Sequence, residues 1–201
     1  MGSQLDQQTF SLGAYTDSVQ ASLARMAKED FGSRLWRKDA SLWKKGQKDQ
    51  QGIPEAMGWL EVAATMADRV AELTAFAQEV RQAGLGYAIH MGMGGSSLAP
   101  LVLRRTFTAG PQGLPLTVLD TTDAATISQI EHQAPVDKTL FIVASKSGTT
   151  AEPLAYMDYF YAKVKELKGK KAGENFAVIT DPGTPLTQTA KDRGFRHAFL
   201  N

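Results

Sequence analysis

Five short apolar runs in the second part of the chain restrict the fold most: Gly86–Met91, Leu116–Leu119, Leu140–Ala144, Phe176–Ile179 and Ala198–Leu200. Turn residues and stretches long enough for a helix separate them. The runs are apolar nearly throughout and do not alternate, as expected of strands covered on both faces. The first four are each followed by a segment with helical spacing. Continuous apolar strands alternating with helices predict an α/β domain over residues 85–201, with a five-stranded parallel sheet and helices on both faces. Helix ends are legible as well. Asp123 is placed to cap the second crossover, Thr149-Thr150-Ala151-Glu152 has capping-box spacing, Thr184-Pro185 sets a cap before a first-turn proline, and Gly194 closes the last helix.

Upstream, the texture is helical. Leu12, Tyr15, Val19, Leu23 and Met26 recur three or four apart, and Leu60–Ala83 carries Val62, Met66, Val70, Leu73, Phe76 and Val80 at the same spacing. Gly84 follows where a helix end favours a left-handed residue. Between Asp30 and Gly58 the pattern breaks into short helices and loops, and Trp36, Trp43 and Trp59 are expected to anchor this segment on the α/β body. Met1-Gly2-Ser3 is set aside, so residues 4–84 form the helical N-terminal segment.

At 201 residues the chain is one domain with an appendage, or two small domains. Hydrophobic residues at 43% and charged residues at 21%, with no run of about 18 apolar residues, describe a soluble, folded protein without a membrane partner. The formal charge of +1 supplies no global field for nucleic acid. The absence of cysteine excludes disulfides, thiolate metal sites and cysteine nucleophiles, and no secretory pattern opens the chain, which makes the cytoplasm the expected location.

Two loops carry chemistry. The first strand runs into Gly92-Met93-Gly94-Gly95-Ser96-Ser97, with a helix expected from about Leu98; the third runs into Ser145-Lys146-Ser147-Gly148-Thr149-Thr150 ahead of its own helix. Each brings backbone N–H groups and hydroxyls to a helix N-terminus, which is anion-binding geometry, and Lys146 adds one positive charge. Either loop alone also reads as an ordinary βα connection. In the flavodoxin-like order 2-1-3-4-5, however, strands 1 and 3 are neighbours and both loops face one crevice. Hydroxyl-rich, nearly neutral donors suit a phosphate monoester better than a metal, for which no His, Asp or Glu cluster is visible.

Competing motifs fit less well. Gly95-Ser96-Ser97 lacks the lysine of a P-loop. A dinucleotide fingerprint is matched by Gly92, Gly94 and a ribose-binding Asp120, but Ser97 stands where the third glycine belongs and the Ser145–Thr150 loop is left unexplained. Ser145 and Lys146 are adjacent, not three apart, which argues against a serine nucleophile. His90 reads as a core or sheet-end residue, His132 and His197 carry no partner pattern, and Lys44, Lys45 and Lys48 read as a solvated stretch.

At these loops the sequence resembles the phosphoglucose isomerase family. Gly92-Met93-Gly94-Gly95-Ser96-Ser97-Leu98-Ala99-Pro100 is similar to the first motif of its sugar-isomerase domain, and Ser145-Lys146-Ser147-Gly148-Thr149-Thr150-Ala151-Glu152 to the second. Val118–Asp123 looks like the family's intervening strand, and the stretches Trp36–Trp43 and Gly58-Trp59-Leu60 look like the bacterial form fused behind a transaldolase. Met93 and Ala99 are small apolar departures from the motif. The resemblance implies that Gly95, Ser96, Ser145, Lys146, Ser147 and Thr150 hold the phosphate and nearby sugar oxygens of a hexose 6-phosphate, and that Glu152 orients a histidine supplied later in the chain. It further implies interconversion of glucose 6-phosphate and fructose 6-phosphate through an enediol, without redox or metal cofactor, in a homodimer. The family's C2 base, ring-opening histidine and late lysine all lie beyond the region that ends here at Asn201, so a C-terminal domain of the same protein is an implied partner. A phosphosugar-sensing module without catalysis is the alternative.

Overall fold

The computed structural model describes residues 9–107, 110 and 113–201. The chain divides into two compact units, Met1–Glu72 and Leu73–Asn201.

In the first unit, α1 (Thr16–Lys28), α2 (Phe31–Trp36), α3 (Ile53–Ala56) and the first part of α4 (Val62–Gln82) are joined by short 3₁₀ turns. Its local order rests on polar links. The Asp39 carboxylate accepts from the Ser41 amide at 2.9 Å and from Arg34 Nε at 2.7 Å. The Ser41 hydroxyl, which donates to the same carboxylate at 2.6 Å, followed by the bonds from Arg34 and the Ser41 amide, holds its pKa down at about 2. Lys38 Nζ reaches Glu61 Oε2 at 2.6 Å. Ala40 and Met57 are the buried apolar residues among those described. Trp36, Trp43 and Trp59 are 63%, 47% and 64% exposed. Within this unit the helices around them are four to six residues long, and Trp43 meets Phe31 edge-on at 6.4 Å between centroids.

The second unit is the α/β body. Strands β1 (Tyr87–Met91), β2 (Leu116–Leu119), β3 (Thr139–Ala144), β4 (Phe176–Thr180) and β5 (His197–Leu200) form one sheet in the order β2-β1-β3-β4-β5, with every pairing parallel. The intervening helices are α5 (Gly95–Thr106), α6 (Ala124–Gln133), α7 (Ala151–Lys168) and α8 (Pro185–Asp192). The flavodoxin-like α/β class is as expected, with strand ends displaced by single residues. Alternation along each strand divides the core between the sheet faces. Ile89, Met91, Phe141, Val143, Phe176 and Val178 pack with Phe160, Val164 and Leu186, whereas Ala88, Leu140, Ala177 and Phe199 pack with Val80. Phe141 stacks on Phe160 and Phe176 at 4.8 and 4.9 Å.

Several helix ends follow the residue chemistry. Asp123 accepts from the Thr126 amide at 2.8 Å, and Gly84 and Gly194 adopt φ of +77° and +63°. The capping box at α7 does not form. The helix starts one residue later than the Thr149–Glu152 spacing requires, with Thr150 as N-cap residue and no side-chain capping bond, while the Thr149 hydroxyl pairs with Ser147 Oγ at 2.9 Å and that of Thr150 with Ser145 Oγ at 3.0 Å. Among the described residues no helix is long and apolar enough to cross a membrane.

Candidate anion site at the carboxyl ends of β1 and β3

β1 and β3 are direct neighbours, with Met91 opposite Val143, so the loops that leave them start side by side. The first loop is shorter than its sequence suggests. α5 begins at Gly95 and not near Leu98, because the Ser96 and Ser97 amides bond Met93 O and Gly94 O (both 3.1 Å) and Leu98 N bonds Gly94 O (3.0 Å). Gly95, Ser96 and Ser97 are thus the first turn of the helix. Gly94 makes this entry possible with φ +56° and ψ −123°, a region closed to residues with a Cβ. Gly92 is needed for space: a Cβ there would stand 3.0 Å from Ser96 O. Gly94 and Gly95 are exposed and Ser96 is half-buried, whereas Ser97 is buried with its hydroxyl donated to Gly94 O at 3.0 Å.

The second loop is tied down from three sides. Ser145 is buried, its amide bonds Ile179 O at 3.1 Å, and its hydroxyl meets Thr150. Ser147 Oγ accepts from the Thr149 amide at 3.2 Å and pairs with Thr149 Oγ1 at 2.9 Å. The Lys146 carbonyl accepts from the Asp181 amide at 3.2 Å and from Thr180 Oγ1 at 3.3 Å, which fastens the loop to the β4–α8 connection. The Lys146 and Ser147 side chains are exposed. With no side-chain cap on α7 and Pro153 in its first turn, the Ala151 and Glu152 amides at this helix start lie outside the intrahelical ladder. The arrangement offers backbone donors at two helix starts, several hydroxyls and one ammonium, a donor set for an oxyanion.

Glu152 is half-buried at the second position of α7, one turn before buried Tyr156. The Tyr156 hydroxyl donates to Met93 Sδ at 3.6 Å, linking α7 to the first loop. Burial, and after it the negative charges of Glu152 and Asp120, pushes the Tyr156 phenol above its ordinary pKa, so it stays protonated. Asp120 is exposed at the end of β2. Among the described residues no group of three or more His, Asp or Glu side chains is placed to hold a metal ion. A cavity of about 710 Å³ is elsewhere: Ala88, Leu116 and Leu140 line it near the amino ends of their strands, together with Phe76 and Val80. Open α/β sheets bind ligands at the other end, so the loops and not this cavity are the candidate site.

Two contributors escaped the sequence reading. Thr184 reads as a cap, but its hydroxyl pairs with Thr180 Oγ1 at 2.8 Å and so supports the Lys146 carbonyl indirectly. His90 is buried, as expected, but its Nε2 lies 2.7 Å from Ser96 O. Burial lowers the His90 pKa, which favours the neutral ring.

The profile of the phosphoglucose isomerase family matches residues 51–181. The glucose-6-phosphate isomerase of Carboxydothermus hydrogenoformans is 29% identical over 167 residues, covering 77% of this chain and 33% of that protein. That of Chlamydia trachomatis serovar D is 27% identical over 145 residues, covering 72% and 27%. A hypothetical protein of Thermus thermophilus superposes with a TM-score of 0.63 at 26% identity, over 90% of this chain and 40% of its own. The crystal structure of the C. trachomatis isomerase does so with 0.60 at 23% identity, over 82% and 29%, a likeness of fold. The chain therefore spans about a quarter to a third of the length of these two curated relatives.

Proposed function

The chain belongs to the phosphoglucose isomerase family, and we propose that it is the phosphosugar-binding, sugar-isomerase-type domain of a glucose-6-phosphate isomerase. The reading rests on one observation: two donor-rich loops leave the carboxyl ends of adjacent parallel strands, each at a helix start. Gly95, Ser96, Ser145, Lys146, Ser147 and Thr150 grip the phosphate and nearby sugar oxygens. Binding energy collected at the phosphate, remote from the reacting carbons, fixes the sugar for proton transfer between C2 and C1 by groups outside these residues. Glu152 positions a histidine from outside the chain. The Ser145–Thr150 and Ser147–Thr149 hydroxyl pairs open on binding, the Ser145, Ser147 and Thr150 hydroxyls each exchanging a neutral partner for a charged phosphate oxygen. The full-length context is a cytoplasmic homodimer with a C-terminal domain, and the likeness around Trp36–Trp43 favours a transaldolase fusion.

The 201-residue chain is expected to bind glucose 6-phosphate and not to isomerise it. Titration calorimetry with glucose 6-phosphate and with NAD tests the site. Ser145→Ala, Ser147→Ala and Thr150→Ala should each weaken sugar-phosphate binding by about 0.5–3 kcal/mol, and Asp120→Ala should leave it unchanged. NAD binding that is abolished by Asp120→Ala, with sugar-phosphate binding indifferent to Ser147→Ala, would replace this reading with a dinucleotide site. Turnover in a coupled isomerase assay at rates of order 1–1000 per second would place the C2 base within these residues.

A further inference from the structure

β1 carries a polar side chain where its neighbours are apolar. Ala88, Ile89 and Met91 are buried hydrophobics, and His90 between them is only 4% exposed. In the sheet, Val118 and Ile142 flank it in register. A buried imidazole costs free energy unless its N–H is used, and an aliphatic residue would suit this strand better. The ring's hydrogen bond runs out of the sheet to Ser96 O at 2.7 Å.

That carbonyl needs a donor for a reason legible in the sequence. In α5 the Ser96 carbonyl would accept from the amide four residues on, but that residue is Pro100, inside the helix. Proline has no N–H, and its ring crowds the carbonyl four residues before it, tilting that oxygen off the helix axis. Ser96 O is therefore without its helical donor in the first turn of α5, and His90 Nε2 lies against it. Gly92 closes the other side, since any Cβ there would press on the Ser96 backbone at 3.0–3.1 Å.

We infer that His90 is a positioning residue that supplies the donor missing at Pro100: its Nε2–H holds the Ser96 carbonyl and so sets the direction of the Gly95–Ser97 turn at the anion site. The inference rests on the sugar-phosphate reading only for the identity of the ligand. The positioning itself concerns the backbone. The neutral ring carries its proton on Nε2, because a carbonyl can only accept. Glutamine, whose amide nitrogen reaches the position of Nε2, provides an N–H at this place, and leucine does not.

The test uses the 201-residue chain with His90→Leu, His90→Gln and the double variant His90→Leu/Pro100→Ala. Inorganic phosphate and glucose 6-phosphate are titrated calorimetrically, amide hydrogen exchange is followed at Ser96, Ser97 and Leu98, and urea unfolding reports global stability. His90→Leu is expected to weaken anion binding about five-fold, equivalent to about 1 kcal/mol, and to speed exchange at these three amides while the unfolding midpoint holds. His90→Gln should behave as wild type. The double variant should recover, because Pro100→Ala returns the helical amide and couples the two sites non-additively. The wild-type ring should show a protonated Nε2 by nitrogen NMR, a measurement that stands even if a variant fails to fold. An unprotonated Nε2, unchanged exchange in His90→Leu, or a double variant no better than His90→Leu would overturn the proposal. A wild-type chain that binds neither anion would instead refute the sugar-phosphate reading, with exchange and tautomer still deciding the role of His90.

Discussion

Replacing Gly148 by alanine should loosen the second loop through two separable causes. Gly148 has φ +67°, where an L-residue costs about 1–2 kcal/mol. The added methyl would also stand 2.8 Å from Thr184 Cβ, 2.9 Å from Thr184 Oγ1 and 3.0 Å from Leu186 N. Thr184 has to move, and its hydroxyl is bonded to Thr180 Oγ1, which in turn supports the Lys146 carbonyl. Losing that hydroxyl pair costs about 1 kcal/mol more, so the total is about 2–3 kcal/mol. Gly183 is an internal control. Its φ is +77°, but nothing lies within 4 Å of the place its methyl would occupy, so Gly183→Ala should show only the conformational cost. Urea denaturation of both variants gives the difference, and phosphate titration should show weaker binding for Gly148→Ala alone. Equal destabilisation by the two substitutions, or a Gly148→Ala chain with unchanged unfolding and binding, would refute the idea that close packing on the β4–α8 connection holds this loop in place.

Further expectations concern stability. Asn175, fully buried, donates Nδ2–H to Asp137 O and Thr139 O and accepts from Lys168 Nζ at 2.7 Å. Asn175→Ala should therefore cost about 2–4 kcal/mol in chemical denaturation, and a loss below the precision of the method would count against the network. Bonds from the Thr126 hydroxyl and amide hold the Asp123 carboxyl below its ordinary pKa of 3.8, so its contribution to stability is complete above that value and lost as pH falls through the lower folded-state pKa. Asp123→Ala should accordingly destabilise the chain at neutral pH, and unfolding curves of the two proteins should converge in acid.

Elements whose causes are local can be read from the amino-acid order without any coordinates. Apolar runs without alternation define five strands, because a strand covered on both faces has no polar side. Gly84, Gly194 and Asp123 end or start helices through their own backbone freedom or side chain, needing no distant partner. The two donor-rich loops are legible for the same reason: a glycine-rich or hydroxyl-rich turn ahead of a helix exposes donors wherever it occurs. The folded arrangement decides where a side chain has two partners to choose between. Thr149 stands at capping-box spacing from Glu152, but its hydroxyl pairs with Ser147 and the helix starts one residue later, behind Thr150. His90 looked like a core residue and is one. Only the fold brings it within 2.7 Å of a carbonyl six residues on, left without a helical donor by Pro100, because that contact needs the strand, the glycine turn and the broken helix ladder at once.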